Sequence, residues 1–280
     1  MSRLSRQAPG PTSCGALSGV FLAHWIIHND HMRELRLIIR AVSNRVCNVL
    51  IQGEAGTGKE WIAQRVHAHG RPAMRPFVPF DCTTLRDRTY ESQLFGAAKG
   101  FKGGQHDMLG CLRAADRGTL YLANIGELDC FMQDRLLKCL KERAVVPLGA
   151  DHSVPVNARL IVTTRCDLKE MVDRGDFREE LFRLTNEVCL RARPLRERRS
   201  DILPLVNHFL AELAALYQEP LKTLDSIAIP VLESYPWPGN DRELLNVIQR
   251  ANMLCSADVV TEAHLREALR FVDDAHCITE

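Results

Sequence analysis

A chain of 280 residues, 46% hydrophobic and 25% charged, has the material for a full core in roughly one to two domains. Its 36 Lys and Arg stand against 35 Asp and Glu, which excludes a global positive field that would draw it onto DNA or an anionic membrane surface. No apolar run approaches the roughly 20 residues that span a bilayer, so no membrane role is expected, and a nucleic-acid role has to come from a local patch or a partner.

Residues 1–21, rich in Ser, Gly and Pro and without periodicity, are expected to be a disordered tail. The apolar piece within Gly15 to Ile27 has no small-residue cleavage site after it and is not read as a signal peptide. From Asn29 the residues Met32, Leu35, Leu37, Ile38 and Val42 recur at helical spacing, with Asn29 or Asp30 as N-cap. Cys47 to Gln52 is a short β-branched run that stops at Gly53, and helical periodicity resumes over Lys59 to His69, giving strand, glycine loop, helix. Further strands are expected at Phe77 to Phe80, Thr119 to Leu122 and Arg159 to Thr164, separated by segments long enough for crossovers, hence an α/β fold with a parallel sheet flanked by helices.

The segment Leu128 to Arg143 puts Leu128, Met132, Leu136 and Cys139/Leu140 on one face, a stripe assigned to core packing. After Pro194 strand signals cease. Asp201 to Tyr217, Ser226 to Glu233, Asp241 to Cys255 and Thr261 to Val272 read as helices, so residues 22–195 form the nucleotide-binding domain and 196–280 a small all-helical lid. The ten cysteines contain no C-x-x-C pair and mostly sit in apolar stretches, the usage of a reducing cytoplasm. His67 and His69 have no further ligands at metal-site spacing, so no metal centre is expected there.

The chemistry concentrates in Gly53-Glu54-Ala55-Gly56-Thr57-Gly58-Lys59. Backbone N–H groups at a helix N-terminus are ready donors for a phosphate, provided the turn lacks bulky side chains. Gly53, Gly56 and Gly58 meet that demand, and Lys59 reaches the β and γ phosphates of ATP as a point charge. The Ser or Thr that usually follows the lysine and ligates Mg²⁺ is replaced by Glu60.

GEAGTGKE, together with ESQLFGAAKG (91–100), RGTLYLANIGEL (117–128), FREELF (177–182), RPLRERRSDILPL (193–205) and YPWPGNDRELLNVI (235–248), resembles the AAA+ P-loop domain of bacterial enhancer-binding proteins, the sigma-54-dependent transcription activators. The resemblance covers residues 25 to 272 and makes Glu60 a family trait. It implies a homo- or hetero-oligomeric ring, ATP between subunits, and action on sigma-54 RNA polymerase. It further implies that Arg242 contacts the nucleotide, while Asn240 is expected to cap the helix after it.

Four departures qualify that picture. The family's Asp-Glu pair, which organises Mg²⁺ and polarises the attacking water, is replaced by Ala123 and Asn124, so Mg²⁺ holding is weakened and hydrolysis impaired; Asn124 orients a water without taking its proton. Rescue by Glu127 or Asp129 is disfavoured, because both follow Gly126, beyond the strand end. The sigma-54 loop reads Gly100-Phe101-Lys102-Gly103-Gly104, one residue shorter than GAFTGA and with Lys102 for Thr; the alternatives are sigma-54 contact through Phe101 and Lys102, or a flexible Gly-rich loop. The family's sensor Asn is Arg165, which binds phosphate or points to solvent. Of the two arginines that stabilise a neighbouring subunit's phosphoryl group, Arg178 matches the first, whereas Leu184 falls at the second with Arg183 one residue early; ordinary surface charges are the alternative for both.

A helix-turn-helix module has no counterpart between the last helix and Glu280, and no receiver precedes the domain, so direct sequence-specific DNA reading is not expected. Three readings follow: an ATP-binding module with impaired hydrolysis that joins or obstructs a ring of relatives, a working mechanochemical ATPase, or a scaffold that binds no nucleotide.

Overall fold

The computed structural model describes residues 30–45, 47–70, 74–84, 90–101 and 104–277. The expected tail 1–21 and Lys102 lie outside them. The chain divides into two compact units, one of residues 30–197 with 239–242, the other containing residues 198–238 and the chain from Glu243 onward.

In chain order the first unit carries β1 (Val49–Gln52), β2 (Phe77–Asp81), β3 (Thr119–Ala123), a short antiparallel pair of β4 (Ala144–Val145) and β5 (Val154–Pro155), then β6 (Arg159–Thr164) and β7 (Val188–Arg191). Five of these form one sheet in the order β2-β3-β6-β1-β7, every pairing parallel. All six residues of β6 are buried, as are the first four of β3. Strands covered on both faces have no solvent side to alternate toward, which is why they read as continuous apolar runs. Parallel strands also bring their C-terminal ends to one edge, and β1 releases the glycine loop at that edge between β6 and β7.

Helices cover the sheet. Lys59–Ala68 buries Ile62, Ala63 and Val66. Cys130–Glu142 is capped by Asp129, whose side chain accepts from the Met132 N–H at 2.8 Å, and it buries Met132 and Leu136 as the stripe predicts, with Cys139 and Leu140 packed against the same core.

The opening helix, Asp30–Ser43, departs from expectation in its phase. Leu35, Ile39 and Val42 are buried, whereas Leu37 is 66% exposed. The steps 35, 39, 42 follow the i, i+4, i+7 ladder of one face, and Leu37 lies off it. The buried Arg159 of β6 donates Nη2 to the Val42 carbonyl and Nε to that of Cys47, both at 3.0 Å. A guanidinium at a helix C-terminus satisfies carbonyls that have no partner within the helix and complements their partial negative charge.

Strand β7 was absent from the expected set, and the helical unit is not purely helical. Its helices are Ile202–Tyr217, Ile229–Ser234, the body of Asn240–Leu254 and Glu262–Cys277, but β8 (Thr223–Leu224) pairs in parallel with β9 (Val259–Val260). Val206, Leu210, Leu213, Trp237, Val247 and Leu265 form its interior, with Trp237 Nε1 donating to the Leu232 carbonyl at 2.7 Å. Among the described residues no helix is long and apolar enough to cross a membrane.

Candidate functional site

The loop after β1 is shaped by two left-handed glycines, Gly56 at φ 76° and Gly58 at φ 79°, conformations that an L side chain rarely adopts. Space is short as well: a Cβ on Gly56 would come within 2.1 Å of the Gly239 carbonyl oxygen, and one on Gly53 within 2.5 Å of that of Ala192. Thr57 donates its hydroxyl to the Glu54 carbonyl at 2.9 Å and is buried. A turn so short of side chains, leading directly into the helix at Lys59, is the kind of backbone that can present main-chain amides to an anion.

Two residues outside the expected site hold this loop. Both guanidinium nitrogens Nη1 and Nη2 of Arg196 donate to the Glu54 carboxylate, the first at 2.7 Å. Asn240, fully buried and left-handed at φ 55°, donates Nδ2 to the Ala55 carbonyl at 2.9 Å and to Glu54 at 3.2 Å, while its Oδ1 accepts from the Leu195 N–H at 2.8 Å. The Asn240 side chain therefore reaches well beyond the helix it was expected to cap. The Arg196 hydrogen bond brings the Glu54 carboxyl down to about 2, opposed by burial and assisted by Asn240 and by the charges of Arg196 and Lys59.

The half-buried Lys59 ammonium donates to the carbonyls of Gly53 at 2.8 Å and Glu54 at 2.6 Å. Burial pushes it down to about 8, and the charges of Arg242 and Arg165 push the same way against the pull of Glu54. Only the protonated form attracts a phosphate, so the contribution is present below that pKa and lost above it. Affinity for a fluorescent ATP analogue is expected to fall about tenfold between about pH 7 and pH 9. A flat profile would show that the ammonium stays charged throughout.

Ala123 ends β3 and offers only a methyl group. Asn124 follows at φ 56°, with its N–H on Thr163 Oγ1 at 3.3 Å and its Nδ2 donating to Asp81 Oδ1 at 3.1 Å. Arg165 pairs with Glu127 at 2.8 Å, its side chain 55% exposed; it also lines a cleft of about 400 Å³ with Gln52, Gly53, Glu54, Arg191 and Arg196. Glu127 is thereby engaged by a cation, and Asp129 caps a helix. Among the described residues no three His, Cys, Asp or Glu side chains stand where they could hold a metal ion. The glycines of the loop and the Lys59 ammonium are donors of the kind a triphosphate takes.

The other expected residues fall in three places. Arg242 is exposed, but its Cβ lies 3.3 Å from where a Cβ on Gly56 would stand, beside the loop. Arg178 makes a two-pronged ion pair with Asp134, Nε at 2.7 Å and Nη2 at 2.9 Å, and Arg183 pairs with Glu179 one turn earlier on the same helix. Those described bonds do not involve the phosphate loop. Phe101 lies over Gly149, where an added Cβ would come within 3.0 Å of its ring, and Gly100 N–H bonds the Gly104 carbonyl at 2.8 Å. Among the histidines, His67 Nδ1 meets Thr119 Oγ1 at 2.9 Å and His69 Nδ1 the Arg65 carbonyl at the same distance.

Residues 25–191 match the Sigma-54 interaction domain, and residues 196–276 match the AAA+ ATPase lid domain. The regulatory protein AtoC of Escherichia coli (strain K12) is 41% identical over 248 residues, 88% of this chain and 54% of AtoC. The Nif-specific regulatory protein of Klebsiella oxytoca is 39% identical over 251 residues, 89% of this chain and 48% of that protein. The chain thus spans about half the length of these curated relatives. Among solved structures, NtrX from Brucella abortus in complex with ADP superposes with a TM-score of 0.80 at 28% identity, covering 89% of this chain and 56% of that one. The same protein in complex with ATP gives 0.79 at 28% identity, covering 94% and 64%.

Proposed function

Because this chain belongs to the family of the sigma-54 interaction domain, with an AAA+ lid, we propose that it is an ATP-binding module of sigma-54-dependent transcription control whose hydrolysis is impaired. One juxtaposition carries the reading. The phosphate cradle from Gly53 to Lys59 is complete and braced by Arg196 and Asn240, while the strand end that would hold the hydrolytic carboxylates presents Ala123 and Asn124. Gripping a triphosphate needs main-chain amides and one cation, whereas cleaving it quickly needs a positioned base and metal-borne charge stabilisation.

Gly53 to Lys59 receive the phosphates, and Arg242 and Arg165 add positive charge beside them. Asn124 orients water. Arg178 and Arg183 face a neighbouring subunit's nucleotide, Phe101 and Lys102 carry whatever contact is made with sigma-54, and the module works in the cytoplasm by joining or obstructing an AAA+ ring of relatives. With no carboxylate at position 123, binding depends little on Mg²⁺.

Binding and turnover measured on one purified sample test the reading. Saturable binding of a fluorescent ATP analogue in the micromolar range is expected, with phosphate release at least about 10²-fold below that of a relative carrying both carboxylates. Turnover matching such a relative would establish a working ATPase, and absence of saturable binding would leave a scaffold.

A further inference from the structure

We propose that Arg196 is a positioning residue for nucleotide binding: it neutralises the Glu54 carboxylate inside the phosphate loop, so that Lys59 is left to a polyphosphate anion. This deepens the ATP-binding reading above, on which it rests, and concerns a side chain that acts through Glu54 rather than on the phosphates.

The loop carries its own obstacle to an anion. Among the residues from Gly53 to Lys59 stands one carboxylate, Glu54. Besides the Arg196 hydrogen bond, which does most to keep Glu54 ionised, the Lys59 charge favours the carboxylate, and the carboxylate in turn favours the ammonium against the burial that opposes it. An anion fixed within electrostatic reach of Lys59 competes with an incoming phosphate for that cation and repels the phosphate directly.

The fold brings the compensating charge from 142 positions away. Gln52 pairs with Arg191 at the close of β1 and β7, and the Ala192 N–H donates to the Gln52 carbonyl at 2.8 Å, so the chain leaves β7 alongside Gly53. The short turn Leu195–Glu197 follows, anchored by the buried Leu195 side chain and by the Leu195 N–H on Asn240 Oδ1. From this turn Arg196 sends Nη1 to Glu54 Oε2 at 2.7 Å and Nη2 to Oε1, one prong for each carboxylate oxygen. Asn240 adds its Nδ2 to Oε2 but brings no charge.

The side chains of Arg196 and Glu54 are each 42% exposed, and an ion pair so placed contributes little to folding stability. Its effect falls on whatever anion binds beside it. Removing the guanidinium leaves an uncompensated negative charge in the cradle, whereas removing both charges leaves none. That separates neutralisation from bracing, because a mechanical brace lost with Arg196 stays lost when Glu54 is changed as well.

The test titrates the full chain with a fluorescent ATP analogue at low ionic strength and follows melting on the same samples. Arg196→Ala is expected to weaken binding about tenfold, with the melting temperature lowered by a few degrees at most. The double variant Arg196→Ala, Glu54→Gln should return to within about threefold of the parent, and Arg196→Lys, which keeps the charge and gives up the fork, should retain most of the affinity. Raising salt to about 0.5 M should shrink the Arg196→Ala deficit, because screening weakens what one exposed charge does to another. Parent-like binding by Arg196→Ala would overturn the inference and leave ATP binding standing, as would a deficit that persists in the double variant or is indifferent to salt. Absence of saturable binding in the parent would overturn the functional reading itself. If Arg196→Ala does not fold, Arg196→Gln takes its place in the same comparison, with the same outcomes deciding.

Discussion

The double variant Ala123→Asp, Asn124→Glu should hydrolyse ATP about 10²-fold faster than the parent chain or better, measured as phosphate release at saturating ATP and Mg²⁺. The change gives back a base able to accept the water proton and an anion at the strand end. The phosphate loop, with Lys59 and its braces, is left untouched. The gain meets one local obstacle: the new carboxylate at position 124 would stand against Asp81, now a hydrogen bond away from the amide it replaces. Two carboxylates sharing a site resist joint ionisation, and one of them is pushed toward its protonated form. Adding Asp81→Asn should therefore raise turnover further, since an amide there can donate to the new carboxylate. If neither variant gains, a second defect is indicated, with Arg165 or the segment bearing Arg178 and Arg183 as its seat.

Lys59→Ala should weaken ATP binding about 10²-fold while the protein stays folded. A charge-assisted hydrogen bond to phosphate is worth about 1.5–3 kcal/mol, and about 1.4 kcal/mol is a factor of ten in affinity. The ammonium is depressed to about 8 chiefly by burial, so the fold gains little by keeping it charged there. Loss of affinity without loss of thermal midpoint is the expected signature, read by titration and by melting. A variant that binds ATP as well as the parent would show that the main-chain amides suffice. Parallel loss of affinity and melting temperature would assign Lys59 a structural role through Gly53 and Glu54 instead.

How much of this was legible in the sequence depended on distance along the chain. The loop from Gly53 to Lys59 is contiguous, so its steric and electrostatic logic is written in adjacent letters. β6 announces itself because burial on both faces demands an unbroken apolar run. β7 does not, since it pairs only with β1 and only Leu190 of its four residues is buried. In the opening helix three apolar residues stand in a row at Leu37, Ile38 and Ile39, and only packing decides which of them faces inward.

The site shows the same divide. Glu54 meets Asn240 across 186 positions, and Asp81 meets Asn124 across 43, pairings that no local pattern encodes. One signal could have been used for Asp81: a carboxylate at the close of a strand in a parallel sheet lies on the edge where such folds do their chemistry. That positions 123 and 124 carry no acid was plain from Ala123 and Asn124; the presence of an acid one strand away became visible only once the register was known.

Strands that finish level create a shelf, on which side chains far apart along the chain come within a hydrogen bond of one another. Asp81 at the close of β2 stands level with Ala123 at the close of β3, so a side chain on one strand end is within reach of the next without any bend in the backbone.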